Sequence, residues 1–210
     1  SNVRPMPNTV PGDFDPTWSP EGDRIAFTSL RTGRPHVFVI NLIDHSLQEL
    51  SNTIHADIQP AWHPGGMQLA FIRNDPFPHV WVMSDQGLTE FQFSGPGNVL
   101  DLWPSWSPDG SFIIWARSQL DPVIPWLMLK YYEDRDNNVE YRIRPAGVTG
   151  FGPVANPSLS PDGKWIAYES WPDGRNHDIY VMDINGENLR RLTADPGYDF
   201  QPVWKPRSRR

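Results

Sequence analysis

The sequence predicts an all-β chain: a β-propeller of four-stranded antiparallel blades, four of them full, with the terminal strands of a further blade at the two ends. Three observations predict it. A seven-residue phrase recurs as "PTWSPEG" at 16–22, "PSWSPDG" at 104–110 and "PSLSPDG" at 157–163. Aligned on its aromatic position, the phrase places Trp18, Trp62, Trp106, Leu159 and Trp204 at spacings of 44, 44, 53 and 45 residues. A period of about 40–45 residues with several short strands per unit marks a propeller. Finally, 23 Pro and 16 Gly among 210 residues supply many turns, while ten Trp and ten Phe supply a core that disordered chains lack.

Each unit carries four apolar segments, a to d, separated by turn signals. They read "DFDPTW", "RIAFTS", "HVFVINL", "LQELS" in the first unit and "DIQPAW", "QLAFIR", "HVWVMS", "TEFQF" in the second. The third gives "DLWPSW", "FIIWAR", "WLMLKYY", "VEYRIR", and the fourth "VANPSL", "WIAYES", "DIYVMD", "LRRLT". The repeated phrase falls between a and b, where Pro presets φ, Asp or Glu tolerates the next position and Gly accepts positive φ: it is a hairpin turn used once per blade. Strands b and c are continuous apolar runs, as in sheets covered on both faces. Strand a alternates. Phe14, Pro16 and Trp18, like Ile58, Pro60 and Trp62, are expected between neighbouring blades, and the opposite residues are expected to line a central channel. Each buried blade Trp would remove roughly 150–250 Å² from water, about 4–6 kcal/mol as an upper bound. Leu159 makes blade 4 the expected loosest contact.

The predicted blades cover 13–52, 57–94, 101–145 and 154–193 of a single domain spanning 1–210. Residues 3–20 align without gaps to 189–206, so a partial blade is expected from 1–12 and 199–206, giving 18 strands. That count does not close simply. The chain is an arc of a longer propeller, or an irregular ring, or a ring completed by a second chain through unpaired blade edges. The start "SNVRP", without Met, reads as processed or cut from something longer.

Composition narrows the partners. A net charge of −7 opposes nucleic-acid binding, and the one basic cluster is the tail "KPRSRR" at 205–210. No apolar run approaches a membrane span. With no Cys there is neither a disulfide framework nor a thiolate metal site, which suits a secreted and a cytosolic chain equally.

The residues 157–193, "PSLSPDGKWIAYESWPDGRNHDIYVMDINGENLRRLT", resemble the TolB-like β-propeller repeat, the Pro-Asp relative of the WD repeat. Its hallmark is P-x-W-S-P-D-G followed by "IAF", a "YVMD" strand and "RRLT". The resemblance covers about 3–206. It implies a non-catalytic protein- or peptide-binding scaffold, bacterial and periplasmic or extracytoplasmic, whose channel mouth receives a partner's peptide. Alternatives from related propellers are an accessory gating domain of a prolyl-oligopeptidase-type hydrolase and a metal-dependent lyase of the oligogalacturonate type.

No G-x-S-x-G elbow, H-E-x-x-H helix or Gly-rich phosphate loop is present, and no catalytic residue is assigned. His36 and His79 start strand c on neighbouring blades, too far apart at about 10 Å to share a metal. The candidate binding residues lie on strand a. Asp13, Asp57, Asp101 and Asp199 recur at one point, with Val154 breaking the series in blade 4. They read either as caps of local turns or as an acidic ring for a hard cation such as Ca²⁺ or a basic peptide end. Two residues on, Asp15, Gln59, Trp103, Asn156 and Gln201 complete the expected channel mouth, where Trp103 is an anchor or a plug. Tyr131, Tyr132 and Tyr141, within the blade 3 insertion at 129–145, read either as an outer-edge contact patch or as part of an extended hairpin that shields its own strands.

Overall fold

The computed structural model describes residues 5–146, 152–174 and 176–205. Within them sixteen strands form four antiparallel sheets of four, each running a-b-c-d in chain order. Blade 1 is β1 (Asp13–Trp18), β2 (Arg24–Ser29), β3 (His36–Asn41) and β4 (Leu47–Glu49). Blade 2 is β5 (Ala56–Trp62), β6 (Gln68–Asn74), β7 (Pro78–Ser84) and β8 (Glu90–Gln92). Blade 3 is β9 (Val99–Trp106), β10 (Phe112–Gln119), β11 (Trp126–Tyr131) and β12 (Tyr141–Ile143), with a 3-10 turn at Tyr132–Asp134. Blade 4 is β13 (Val154–Leu159), β14 (Trp165–Ser170), β15 (Asp178–Asp183) and β16 (Arg190–Arg191). No α-helix occurs among the described residues, hence none long and apolar enough to cross a membrane.

The a–b turn shows why its phrase is so constant. In blade 3 Ser107 Oγ accepts the Phe112 N–H at 3.0 Å and donates to Asp109 Oδ1 at 2.6 Å. Blade 4 repeats this with Ser160, Trp165 N–H and Asp162. The Ser and Asp side chains therefore close the turn that Pro and Gly shape, and hydrogen bonds from Ser107 and Ser111 pull the Asp109 carboxyl down to about 2. In blade 2 His63 takes the serine's place, its Nδ1 accepting the Gly65 N–H at 2.9 Å.

The cores lie between blades. One apolar cluster joins Ala26, Val37 and Val39 to Trp62, Leu69 and Phe71; the next joins Ile72 and Val80 to Trp106 and Trp115; the third joins Ile114 and Leu127 to Leu159 and Tyr168. Blade 1 thus packs on 2, 2 on 3 and 3 on 4, and among the described residues no strand of blade 4 packs extensively on blade 1.

Four expectations change. Among the described residues only sixteen strands form: residues 5–12 make turns and 199–205 run without a ladder partner, because no described b strand lies beside the latter. Residues 1–4, and 206–210 of the basic tail, fall outside the described residues. Trp62 and Trp106 are 7% exposed, but Trp18, with no blade before it among the described residues, is 62% exposed. Leu159 is 9% exposed, so its interface is as closed as the tryptophan ones. Tyr132 is not at the outer edge. Its hydroxyl accepts from Gln68 Nε2 at 2.8 Å and its ring meets Phe93 and Trp106, bridging blades 2 and 3, whereas Tyr131 and Tyr141 do pair outside at 5.9 Å.

Candidate functional site

Strand a is the inner edge of each sheet, and side chains of a regular strand point to the sheet's faces rather than off its edge. A bulge is needed to turn one toward the axis. Every a–b ladder slips register at the same place: between Phe14 and Thr17, Ile58 and Ala61, near Trp103, and between Ala155 and Ser158. The residue at each slip has positive φ: Asp15 52°, Gln59 55°, Trp103 55°, Asn156 47°. Gln201 repeats it at 51° although its segment has no ladder. Left-handed backbone is sparsely populated by non-glycine residues, least so for Asn and Asp, and five instances at one repeat position are a built feature.

These five residues line one open cavity of about 610 Å³. Each is followed by a lining proline (Pro16, Pro60, Pro104, Pro157, Pro202) and then by Thr17, Ala61, Ser105, Ser158 or Val203. Expected strand alternation placed the prolines between blades. The bulge, which advances the register by one residue, places them on the channel instead.

The same slip separates the two acidic series. Asp13, Asp57 and Asp101 do not line the cavity; they point onto a sheet face, each against an arginine from strand b or just beyond it. Asp57 receives Arg73 Nε at 2.7 Å and Nη2 at 2.9 Å, and Arg73 also meets Glu90 and stacks over Trp81 at 4.6 Å. Asp101, fully buried, receives Arg117 Nε at 2.6 Å and Nη2 at 2.9 Å, together with Trp115 Nε1 and His79 Nδ1. Burial pushes the Asp101 carboxyl up, but hydrogen bonds from Arg117 and His79 outweigh it and leave it below the usual range. Asp13 receives both contacts from Arg31 Nη2, at 3.1 and 3.0 Å. The expected acidic ring is thereby corrected. These carboxylates are neutralised in place, and a buried carboxylate without such a partner would be costly.

Among the described residues Asp199 has no arginine partner: its N–H donates to His177 O at 2.9 Å, while Oδ2 is buried without a hydrogen-bond partner and no b strand runs beside it. In blade 4, where Val154 takes the aspartate's position, Glu169 is the buried acid. Its Oε1 accepts Asn156 Nδ2 and Gln201 N–H, both at 2.6 Å.

The bulges are also linked around the axis. The Gln59 N–H donates to Thr28 Oγ1 of blade 1 at 3.1 Å, and Gln59 Oε1 accepts the Trp103 N–H at 2.8 Å. Burial pushes the Asp15 carboxyl up, with the Gln59 N–H acting in the opposite direction. Trp103 has no side-chain acceptor to pass on, and its indole packs on the cluster between blades 3 and 4. Sequence reading missed Glu169 and the arginines. The signal was available for Arg73 and Arg117, each 16 residues after its aspartate.

His36 bridges Glu49 Oε1 at 2.8 Å and Thr53 O at 3.0 Å, a satisfied interior histidine. Among the described residues no group of three His, Asp or Glu is arranged to hold a metal.

Residues 3–128 match the family model described as the TolB β-propeller domain. The Tol-Pal system protein TolB of Anaeromyxobacter dehalogenans is 34% identical over 103 residues, which are 48% of this chain and 21% of that protein. TolB from Acinetobacter baumannii superposes with a TM-score of 0.68 at 22% identity, covering 86% of this chain and 43% of that one. A Mycobacterium tuberculosis puromycin-hydrolyzing peptidase superposes with 0.67 at 18% identity, over 92% of this chain and 32% of its own. The chain therefore spans about a fifth of the length of that sequence relative and under half of either structure. With more than half of its residues matched by the domain model, the chain belongs to the TolB β-propeller family.

Proposed function

We propose that the chain is a non-catalytic scaffold that binds a peptide segment of a partner protein in its central channel. The observation that carries this reading is the set of five strained bulge residues turned into one cavity. Backbone strain held in register along a repeat is costly, on the order of 1 kcal/mol or more per residue, and persists where the turned side chain is useful. The cavity walls combine amides, hydroxyls, proline rings and one indole, a mixture that suits an extended peptide with both apolar and backbone groups to satisfy. Kinship with the Tol-Pal proteins supports a protein partner and a place outside the cytoplasm. Ca²⁺ at the channel, a candidate from the acidic series, loses the support of Asp13, Asp57 and Asp101, which already hold arginines.

Random-peptide selection on the immobilised chain tests this. Selected peptides are expected to lose binding to an Ala61→Trp variant, whose added ring fills the channel, and to keep binding to a Tyr141→Ser variant at the outer edge. Peptides that bind Ala61→Trp undiminished would overturn the proposal.

A further inference from the structure

We propose that the channel selects a peptide segment presenting one cationic group, held between the Asp15 carboxylate and the Trp103 indole. This rests on the peptide-binding reading above and names what the site prefers.

The charge inventory points there first. Of the residues lining the cavity, Asp15 alone is ionisable. Of the neighbouring acids, Asp13, Asp57 and Asp101 are spent on arginines and Glu169 hydrogen-bonds the Asn156 amide and the Gln201 N–H, while Asp199, whose buried Oδ2 has no partner among the described residues, does not line the cavity. One carboxylate matches one monovalent cation, such as a lysine ammonium, an arginine guanidinium or an N-terminal amine. It does not match a divalent ion wanting about six to eight oxygens.

The donor inventory points the same way. Against an anionic ligand, the lining holds no cationic side chain, and its five prolines have no backbone N–H to give. Three of the positive-φ backbone N–H groups are also engaged, that of Gln59 on Thr28, that of Trp103 on Gln59 and that of Gln201 on Glu169. The Asn156 amide is itself tied to Glu169.

Trp103 supplies the second half of the site. Its backbone N–H is held by Gln59 Oε1 at 2.8 Å, and its side chain lines the same cavity as Asp15. Its indole N–H makes no hydrogen bond among the described residues, leaving a donor for a peptide carbonyl and a π face for the cation. A net charge of −7 draws such a segment in.

The test titrates isotope-labelled chain with three acetylated pentapeptides of glycine and serine that differ in the central residue: lysine, norleucine or glutamate. The Trp103 indole resonance, assigned through Trp103→Phe, is the readout. Lysine should bind about threefold to tenfold more tightly than norleucine, and glutamate more weakly than either. Asp15→Asn should remove the preference. That variant fits the site, because asparagine already occupies the equivalent position 156 at φ 47°. Salt at about 0.5 M should narrow the preference as well. Equal binding of lysine and norleucine, or a preference that survives Asp15→Asn, overturns the charge selectivity while the peptide channel stands. If none of the peptides moves the Trp103 resonance at millimolar concentration, the channel reading falls, and the selectivity with it.

Discussion

Replacing Arg117 by methionine isolates what the buried arginines do. Asp101 would lose its bidentate partner and keep only Trp115 Nε1 at 2.9 Å and His79 Nδ1 at 3.2 Å. Both members of the pair are buried, so solvent screens little of the loss, and about 3–5 kcal/mol of stability should disappear near neutral pH. That is a large share of the ~5–15 kcal/mol typical of a domain. The pH dependence carries the sign. In the native chain the folded Asp101 carboxyl titrates below the ordinary value, so its stabilisation is present above about pH 4 and is lost as pH falls through the folded value. Without Arg117, desolvation is no longer outweighed and the carboxyl moves upward. The variant can then take up a proton at moderate pH, and its deficit should shrink between about pH 7 and pH 5. Urea unfolding followed by tryptophan fluorescence measures both effects. The double variant Asp101→Asn with Arg117→Met removes the fully buried charge at 101 and leaves only Glu140, Arg117's other partner, without its arginine, so it should lose less than the single one. A single variant within about 1 kcal/mol of the parent, with no change on acidification, would refute the claim that these acids are structural and return them to the list of ligand-binding groups.

Other expectations are simpler. Trp62→Ala should cost about 3–5 kcal/mol by emptying the blade 1–2 interface, whereas Trp18→Ala, at an exposed position, should cost under about 1 kcal/mol; equal losses in urea titrations would mean that Trp18 is covered in solution. Burial holds the His63 imidazole below its usual 6.5, partly offset by the Gly110 carbonyl, so the unfolded chain binds the proton more readily and stability should fall as pH drops below about 6.5. His63→Ser, the residue found in the other turns, should flatten that slope between about pH 7 and pH 5.5, as read by thermal midpoints. Gly110→Ala should destabilise more than Gly66→Ala, although both glycines have φ above 70°, because the added methyl at 110 collides with the His63 ring and the one at 66 meets nothing nearer than Pro20 Cδ at 3.9 Å.

The blades were legible because their signals are local and repeated. The Ser-Pro-Asp-Gly phrase closes a turn within seven residues, and the paired apolar runs of b and c mark strands covered on both faces. The channel was harder to read. Alternation along β1 and β5 cannot reveal a bulge, since a single residue of positive φ shifts every later side chain by one, and Asp15 or Gln59 carries no composition mark of that shift. Asp57 and Arg73 illustrate the same limit. Their pairing depends on register across a hairpin, visible only in the recurrence of the spacing, and Glu169 replaces the pair in blade 4 from a different position. The unpartnered Oδ2 of Asp199 and the exposed Trp18 are properties of blade edges, which depend on what lies beside them rather than on the repeat itself.

The central claim is that ligand enters the channel lined by the bulge residues. A selected peptide carrying a nitroxide at its centre, mixed with isotope-labelled chain, tests it through paramagnetic broadening. The account predicts that the Trp103 indole signal broadens first, together with the Gln59 and Gln201 side-chain amides, while Trp126 on the third strand of blade 3 stays sharp. Broadening confined to Trp126 and to the outer strand around Tyr141, with Trp103 unaffected, would contradict it.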